Sequence, residues 1–497
     1  MSARWWLPVV AALLLGGGWW LNTFGNQFAY YYHPDEARKV RQVLTGMRNF
    51  NHPLLMLSSV EWMWKVTGRS PQNQRVVELG RYTSAFFCAM GTVAFFFAAW
   101  CWAGPVAGLT TGLLLTFHHQ VFELAHYMKE DSSLYFGVGL FCLALVHYSQ
   151  KQDAVSVILV GATVGVAASA KYLGAILLIP SLAAILLSAR LEKKSDRQGH
   201  AILMAAAAII IFAVINWRLF GQWGSFGQSF GKEMDLVTTG QGDVTRSVPH
   251  AIYLNIFVKN TTPVVWVLLI ASLVALWRRS HARLIPCVIV ATAVGWLLLM
   301  SFSPKTNDRY FLPLTGLFYL MAGTGAAFLW ETTRNWRRAG LAAVLAAGLL
   351  WEGAQTWKYA RAFSRDDRAE LATWIRENIP TGDTIAYDAR VNLPDEEVYD
   401  DLRNPLPHRL LREQYVADVV EKSDDFAAQE IKYVVVSEST YGRFFLESLR
   451  PKAGQSEEFE RRASFYRKLR EQKPLWSRPR GTVLYLHPGL EVYAVGS

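Results

Sequence analysis

Long apolar runs separated by short polar loops dominate the first 356 residues of the chain. An α-helix needs about 20 apolar residues to cross a hydrocarbon core roughly 30 Å thick, and most of the runs approach that length. The pattern predicts an α-helical polytopic membrane protein with about 11 transmembrane helices. The predicted spans are residues 5–24, 84–102, 105–118, 133–149, 154–170, 172–190, 201–219, 262–277, 284–302, 310–331 and 338–356.

The hydrophobic pattern changes beyond residue 356, where charged residues become frequent. One helical pattern covers residues 366–378 and ends before Pro380, and another covers 456–472. Short runs of β-branched and aromatic residues predict strands at 384–388, 432–437, 482–487 and 491–495. We therefore predict a transmembrane domain over residues 1–356 and a small soluble α/β domain over residues 357–497.

The net charge of +10 is unevenly distributed along the chain. Residues 357–497 carry 22 Lys and Arg against 24 Asp and Glu, a net charge of −2, whereas residues 1–356 carry a net charge of +12. The basic excess therefore lies in the loops between the apolar runs, where membrane topology and anionic lipids account for it. We accordingly expect membrane lipids as partners and no nucleic acid.

Lysine and arginine in the short loops indicate the orientation, because these residues accumulate on the cytoplasmic side. If the N-terminus is cytoplasmic, alternate loops contain Arg4, Lys151 and the basic clusters at 190–197, 278–283 and 334–338. The other loops and the C-terminal domain then lie outside. These loops are residues 25–83, 118–132, 217–261 and 303–309. We expect a multi-pass protein of the inner or plasma membrane with an extracytoplasmic C-terminal domain. In the first outer loop, residues 37–50 have the amphipathic pattern of a helix on the membrane surface.

Ionisable residues accumulate on the predicted outer side of the membrane. Two acidic pairs and three cations reach that side: Asp35, Glu36, Glu130, Asp131, Lys171, Lys305 and Arg309. A carboxylate can deprotonate an acceptor hydroxyl, while Lys or Arg can stabilise a departing phosphate. Carboxylates and cations at a lipid–water boundary therefore suit the transfer of an anionic, lipid-carried group.

Each of these residues also has a purely structural interpretation. Asp35 and Glu36 follow Pro34 and fit the first turn of a helix, and Asp131 could cap the next span. Lys305 and Arg309 could be interfacial anchors, and Lys171 could extend from a span end towards water. Residue type and position alone leave both interpretations open.

Metal and thiol chemistry receive little support from the sequence. His118, His119 and His126 lack metal-ligand spacing, and we expect them at the membrane interface. A divalent metal held by Asp35 and Asp131 is left open, although no DxD spacing supports it at the first acidic pair. The four cysteines lie in or beside apolar segments without CxxC spacing, which is typical of small apolar residues.

Five stretches of the chain resemble membrane glycosyltransferases of the GT-C fold, in the same order along the sequence. The first is YYHPDEARKV (31–40) with NHPLLML (51–57); the others are KEDSSLYF (129–136), SAKYLGAILLIP (169–180), KTNDRYFLPLTGLFYLMAGTG (305–325) and AELATWIRENIPTGDTIAYD (369–388). They are similar in particular to the superfamily of protein O-mannosyltransferases and aminoarabinose transferases (glycosyltransferase family 39-like). Members of that superfamily use polyprenyl-phosphate sugars as donors.

The resemblance implies a role for each matching residue. Asp35 would be the catalytic carboxylate facing the acceptor and Glu36 its support, while Glu130 or Asp131 would form a second acidic site. The remaining matches, Lys171, Lys305 and Arg309, would bind the donor phosphate. The acceptor would be a lipid, a glycan or a protein. Here the acidic motif is HPDE followed by a basic helix, which departs from the usual aromatic-Asp-Glu-Ala-Tyr run, so the resemblance implies the fold more directly than the acceptor class.

Two other functional classes remain as alternatives. A lipid or sugar-lipid transporter or flippase would have ionisable groups near mid-membrane on broken helices in related halves. In this sequence the charged groups gather at one surface, and no inverted repeat is visible. A receptor or assembly protein would act through its C-terminal domain and would leave the outer carboxylates without a role. The sequence therefore favours a polyprenyl-phosphate-sugar-dependent glycosyltransferase.

Overall fold

A computed structural model describes residues 6–29, 33–188, 194–239, 244–246, 249–278, 284–303, 307–394, 404–419 and 426–495. Within these ranges, the part before residue 364 consists almost entirely of helices. They are α1 (Trp6–Asn22), α2 (Pro34–Thr45), α3 (Leu55–Val66), α4 (Asn73–Ala103), α5 (Pro105–Thr116), α6 (His119–Ala125), α7 (Glu130–Lys151), α8 (Ala154–Ala170), α9 (Leu178–Leu186), α10 (Lys194–Ile215), α11 (Trp223–Thr239), α12 (Pro249–Asn260), α13 (Pro263–Arg278), α14 (Leu284–Phe302), α15 (Leu312–Thr332) and α16 (Trp336–Phe363). Short 3₁₀ turns lie at Tyr172–Leu177, Trp217–Gly221 and Asp308–Phe311.

Several of these helices can cross a membrane. Four described helices are long and apolar enough: Asn73–Ala103, Glu130–Lys151, Ser195–Ile215 and Asp308–Thr332. The pair Tyr253–Asn260 and Pro263–Trp277, bent by 105°, can form a fifth span, and five shorter apolar helices accompany them. Each of the eleven predicted apolar runs coincides with a helix, so the polytopic helical bundle is confirmed. The number of crossings stays a prediction.

Small residues allow the helices to approach closely, as is usual where van der Waals packing drives helix association in a membrane. A Cβ atom on Gly161 of α8 would lie 2.2 Å from the carbonyl oxygen of Met204 in α10. A Cβ atom on Gly325 of α15 would lie 1.9 Å from the carbonyl oxygen of Leu268 in α13. Only glycine fits at these two contacts.

Helix α2 carries the first acidic pair and is defined at both ends. His33 caps its N-terminus, since the imidazole Nδ1 accepts the Asp35 N–H at 3.2 Å, and Gly46 ends it with φ +74°. The apolar face of α2 lies inside the protein, where Val40 and Val43 are each 1% exposed. The segment is helical as predicted, and other helices cover its apolar face; its position at the membrane surface stays a prediction.

The C-terminal part is a sheet with helices on both faces. The strands are β2 (Thr384–Asp388), β3 (Arg409–Glu413), β4 (Ile431–Ser437), β6 (Trp476–Arg480) and β7 (Pro488–Ala494), in the order β3-β2-β4-β7-β6. Strand β2 runs parallel to β3 and β4, whereas β7 is antiparallel to β4 and β6. The helices are α17 (Asp367–Asn378), α18 (Glu438–Tyr441) and α19 (Ser456–Arg470), with 3₁₀ turns at Val416–Asp418, Phe426–Gln429 and Gly442–Phe445. The predicted α/β architecture is confirmed.

Side chains of β4 alternate between the two faces, as a strand requires. Val434 and Val436 pack with Tyr466 of α19, whereas Val435 packs with Ile375 of α17. Both faces of the central strand are therefore covered, which explains its continuous apolar run.

One predicted strand is wrong, and two strands of the five-stranded sheet were not predicted. Residues 482–487 form a compact turn, while Trp476–Arg480 and Arg409–Glu413 pair in the sheet. The turn has a strand-like composition because Val483 and Leu486, both fully buried, pack against the membrane part. The predicted domain boundary at residues 356/357 falls inside α16.

The C-terminal part contacts the membrane part at separate places along the chain. Strand β1 (Val244–Arg246), between α11 and α12, pairs in antiparallel fashion with β5 (Leu449–Pro451). The turn 481–487 is a second contact, through Val483 and Leu486. We therefore expect the sheet domain to be held above α2 and the N-terminus of α7.

Candidate active site

The ionisable residues predicted for the outer face lie mainly at the ends of helices. Asp35 and Glu36 are in the first turn of α2, Glu130 and Asp131 open α7, and Lys171 follows α8. Helix ends bring charged side chains to the edge of an apolar bundle while the helices themselves stay apolar. The topology thus concentrates the charges of distant segments in one region.

Asp35 is the carboxylate of this region with the most open surroundings, its side chain being 29% exposed. Its Oδ2 is bonded by the ammonium of Lys129, and Arg309 Nη1 lies 3.6 Å from the same oxygen. Arg38, one helical turn further on, lies 3.6 Å from Oδ1. Burial by itself would raise the pKa of Asp35, but Lys129 and Arg309 hold that pKa well below its usual range.

Glu36 is fully buried and is paired with the fully buried guanidinium of Arg81. Arg81 Nε donates to Oε1 at 3.1 Å and Nη2 donates to Oε2 at 2.6 Å, while the N–H of Met128 also donates to Oε1 at 2.9 Å. Arg81 further donates to the carbonyl oxygens of Asn26 and Phe28. Both oxygens of Glu36 are therefore used to join α2, α4 and the two flanking loops.

Glu130 is paired with a cation of α2. Lys39 Nζ donates to Glu130 Oε1 at 2.5 Å, and both side chains are only 4% exposed. His52 Nε2 lies 3.9 Å from Oε2, and burial lowers the pKa of His52 to about 4, so the imidazole is neutral. Glu130 thus fixes the N-terminus of α7 against α2.

Asp131 is surrounded by two of the predicted phosphate-binding cations. Lys171 Nζ donates to Asp131 Oδ1 at 2.8 Å, and Arg309 Nε lies 3.6 Å from Oδ2. The Lys171 ammonium also lies 4.0 Å from the ring centroid of Tyr310. Arg309 therefore lies between Asp35 and Asp131 and connects the two acidic sites.

We call this group the outer charge cluster; it comprises Asp35, Lys39, Lys129, Glu130, Asp131, Lys171 and Arg309. It contains three carboxylates and four cations, so its described members carry one excess positive charge. Lys305 lies outside the described residues. Buried Arg309 Nε has no hydrogen-bond partner among the residues that the structure describes. An excess cation and an unsatisfied donor are features of a site that binds an anion.

Aromatic rings cover the Asp35 side of the cluster. The His33 ring lies 4.8 Å from that of Tyr127 and 4.2 Å from that of Tyr485, between ring centroids. Tyr127 and Tyr485 are themselves 5.3 Å apart. Tyr485 belongs to the turn 481–487, so a residue of the C-terminal part reaches the candidate site.

Part of the chain matches a known family in sequence. Residues 77–217 match the family model described as dolichyl-phosphate-mannose-protein mannosyltransferase. The matched segment contains Glu130, Asp131 and Lys171, whereas Asp35 precedes it and Arg309 follows it. No curated protein matches the chain in sequence.

Solved structures extend the likeness to the whole chain. ArnT from Cupriavidus metallidurans, bound to undecaprenyl phosphate, is similar with a TM-score of 0.56 at 15% identity, over 100% of this chain and 99% of that one. This chain has the GT-C glycosyltransferase fold. The resemblance predicted from the sequence is thereby confirmed.

Two further GT-C structures come from an archaeon. The oligosaccharyltransferase AglB from Archaeoglobus fulgidus, in complex with an inhibitory peptide and a dolichol-phosphate, has a TM-score of 0.52 at 9% identity, over 87% of this chain and 70% of that one. An Archaeoglobus fulgidus oligosaccharyltransferase complex with Zn and sulfate has a TM-score of 0.52 at 11% identity, over 88% and 69%. At these identities the likeness concerns the fold.

A divalent metal does not fit between Asp35 and Asp131 as these side chains are arranged. Lys129, Lys171 and Arg309 already bind the two carboxylates, and a metal ion there would have to displace or face these cations.

A second group of possible ligands lies deeper in the GT-C bundle. His118, His119 and Glu352 place one ligand atom each within 4.8 Å of one another. His118 already uses Nδ1 to cap α6 and Nε2 to contact the Asn260 carbonyl, and His119 Nε2 contacts the Asn260 side chain. His118 and His126 are fully buried within the protein, and their predicted position at the membrane interface stays a prediction. With His118 saturated, two ligands are left, too few for a resident metal site.

Sequence reasoning missed several residues of the site. Lys129 stands directly before the second acidic pair, and that adjacency was the available signal. Lys39 lies on α2, four residues after Asp35 and three residues after Glu36. The helical period could therefore have placed Lys39 beside the first acidic pair. Arg81 lies just before a predicted span, and Tyr485 lies in the run predicted as a strand; neither had a distinguishing pattern.

Proposed function

We propose that this protein is a membrane glycosyltransferase that moves a sugar from a polyprenyl-phosphate donor to an acceptor at the outer face of the membrane. The observation that carries the proposal is the outer charge cluster, in which the partly exposed carboxylate of Asp35 lies beside Lys129 and Arg309. Such a site has a group to accept a proton and groups to hold a phosphate, close together.

The donor phosphate would bind to Arg309 and Lys171, with Lys305 as a further candidate. The excess positive charge of the outer charge cluster supports this assignment. The class of donor is supported by structures of the same fold, because ArnT was solved with undecaprenyl phosphate and AglB with a dolichol-phosphate. Glu130 and Asp131 would hold the cations in place, and Glu36 would position Asp35.

In the reaction, an acceptor oxygen or nitrogen attacks the anomeric carbon of the sugar. The new glycosidic bond forms as the bond from that carbon to the phosphate oxygen breaks, and polyprenyl phosphate leaves with the bonding electrons. Asp35 takes the proton of the attacking group, and Arg309 and Lys171 stabilise the leaving phosphate.

The low pKa of Asp35 suits this order of events. Before the donor binds, Lys129 and Arg309 keep the carboxylate ionised and weakly basic. A phosphate between Arg309 and Lys171 would compensate part of that positive charge, and the pKa of Asp35 would rise towards a useful value for a base. Donor binding would therefore activate the carboxylate.

The acceptor would be a lipid, a glycan or a protein, and the enzyme would reside in the inner or plasma membrane. The N-terminus would be cytoplasmic, and residues 357–497 would form an extracytoplasmic domain beside the transmembrane domain of residues 1–356. This orientation would place the outer charge cluster on the side opposite to the basic loops.

The test uses the full-length protein in proteoliposomes with a panel of radiolabelled polyprenyl-phosphate sugars. We expect labelled sugar to appear on an acceptor in an extract of envelope lipids, glycans or proteins, with release of polyprenyl phosphate. Movement of the labelled lipid between leaflets without sugar transfer would instead establish a flippase. No transfer and no binding of any polyprenyl phosphate would refute the proposal.

A further inference from the structure

The turn at residues 481–487 is built to hold a fixed shape. Its ends are joined, since the N–H of Gly481 donates to the carbonyl of His487 at 3.0 Å. A Cβ atom on Gly481 would lie 2.7 Å from Cβ of His487, so the closure requires glycine at this position. The turn therefore behaves as a rigid element rather than as a loose loop.

The same turn is attached to the junction between α16 and α17. His487 Nε2 lies 2.8 Å from the carbonyl oxygen of Ala362, and Nδ1 lies 2.9 Å from Asp367 Oδ2. The N–H of Asp367 donates to the carbonyl of Leu486 at 3.3 Å. With Val483 and Leu486 fully buried against the membrane part, the position of Tyr485 is fixed relative to the bundle.

Tyr485 contacts the residue that caps the helix of Asp35. Its ring is 4.2 Å from the His33 ring, and His33 is 1% exposed between Tyr485 and Tyr127. His33 Nδ1 in turn accepts the N–H of Asp35. The pKa of His33 is lowered well below its ordinary value by burial and by the neighbouring Lys129, which keeps the imidazole neutral and able to accept that hydrogen bond.

We propose that Tyr485 of the C-terminal part is a positioning residue of the active site, which holds the His33 ring and through it the Asp35 carboxylate in its reactive place. This inference rests on the proposed glycosyltransferase function. It makes the docked sheet domain a part of the catalytic unit, so that the membrane bundle alone has an incomplete site.

The direct test compares Tyr485→Ala with Tyr485→Phe in the sugar-transfer assay. We expect Tyr485→Ala to lower kcat about tenfold or more, because a displaced carboxylate is poorly aligned, while the KM for the donor stays nearly unchanged. Tyr485→Phe keeps the ring contacts and should restore kcat to near the wild-type value. Unchanged kcat in Tyr485→Ala, or equal loss in both variants, would overturn the proposal.

The route through His33 is tested by a double-mutant cycle. Asn is a good helix N-cap, so His33→Asn keeps a capping group and removes the ring that Tyr485 contacts. We expect the double variant His33→Asn/Tyr485→Ala to be no slower than the slower single variant. Fully multiplicative losses would show that Tyr485 acts independently of His33. Phe445→Ala is the matched control, because its ring contacts Tyr441 and Arg470 within the C-terminal part.

A crosslinking experiment separates this inference from the proposed function. A photoreactive phenylalanine analogue at position 485 should crosslink to the peptide containing His33 or Tyr127, as identified by mass spectrometry. Crosslinks confined to the C-terminal part would overturn the inference whatever the activity. If the crosslink forms but the wild type transfers no sugar from any donor, the proposed function fails while the docking of Tyr485 stands.

Discussion

Asp35 and Glu36 are adjacent in sequence and chemically alike, yet their surroundings differ strongly. Glu36 is fully buried, with both oxygens bonded to Arg81 and one also to a backbone N–H. Asp35 is 29% exposed and lies among cations that come from three separate segments. Because successive residues of a helix point about 100° apart, one faces the bundle and the other faces the site.

The difference teaches how one helical turn can serve both architecture and chemistry. Both oxygens of Glu36 accept hydrogen bonds from Arg81, so this buried pair fixes α2 to the bundle. Asp35 has charge partners that a substrate phosphate could share, so its electrostatic surroundings can change when the substrate binds. By fixing α2 to the bundle, the pair of Glu36 and Arg81 also fixes the position of Asp35.

The largest expected effect comes from Asp35→Asn, which retains the shape and removes the base. We expect sugar transfer to fall about 10²–10⁴-fold, the usual contribution of a positioned proton acceptor. The fold should persist, since burial already lowers the pKa of Lys129 to about 8 and its ammonium can lose the proton when its partner is neutralised. Transfer rates and thermal unfolding measured on the same preparation check both expectations.

Glu36→Gln should lower the stability strongly and the activity little, which is the reverse of the effect expected for Asp35→Asn. Removing one partner of a buried ion pair leaves the Arg81 guanidinium uncompensated, and we expect unfolding to become easier by about 3–5 kcal/mol. Unfolding in detergent measures this change, while the activity per folded molecule should stay within a few fold of wild type. A Glu36→Gln variant that is stable but inactive would contradict the assignment of a structural role to Glu36 and a catalytic role to Asp35.

Arg309→Gln should weaken the binding of the donor and the stabilisation of its leaving phosphate, while Asp35 remains available to accept the proton of the acceptor. A charge-assisted hydrogen bond contributes about 1.5–3 kcal/mol, so the KM for the polyprenyl-phosphate sugar should rise about tenfold or more. Arg38→Gln is the matched control, because Arg38 is also 3.6 Å from Asp35 but its side chain is 51% exposed. Equal effects of the two substitutions would mean that Arg309 acts only through its charge, as an exposed arginine does, and does not bind the donor phosphate specifically.

Asp388 in β2 provides a third carboxylate, buried and bonded to neutral donors. The N–H groups of Val416 and Ser437 and the hydroxyl of Tyr466 donate to it, and burial raises its pKa to about 6. Because the folded state holds this proton more tightly than the unfolded state does, the contribution of Asp388 to stability grows as the pH falls through 6. From pH 7.5 to 5.5 we expect a gain of about 1 kcal/mol.

The measurement for Asp388 is the difference in unfolding free energy between the wild type and Asp388→Asn as a function of pH. The free energy of unfolding of the wild type should rise relative to that of Asp388→Asn as the pH falls below about 7. A difference that is constant with pH would mean that Asp388 does not take up a proton in the folded state over this range.

Hydropathy predicted the bundle and the α/β domain because burial in lipid requires long apolar helices and because a covered sheet requires apolar strands. The same alternation of loops predicted that Asp35, Asp131, Lys171 and Arg309 would share one face. Arg81 could not be found in this way, since a cation beside an apolar run usually marks the interface and here it lies inside. The turn at residues 482–487 was mistaken for a strand because its apolar residues pack against the membrane part. No local sequence pattern reveals such a long-range contact.

The contact between Tyr485 and His33 joins residues more than 450 positions apart in the sequence. In the proposed topology, the segment containing Asp35 would reach the outer compartment long before the turn at residues 481–487 has been made. The growing chain would therefore carry an unfinished catalytic centre, and sugar transfer would begin only after the sheet domain has been exported and folded. In that topology, the order of biogenesis would protect the donor lipid from premature reaction on an incomplete enzyme.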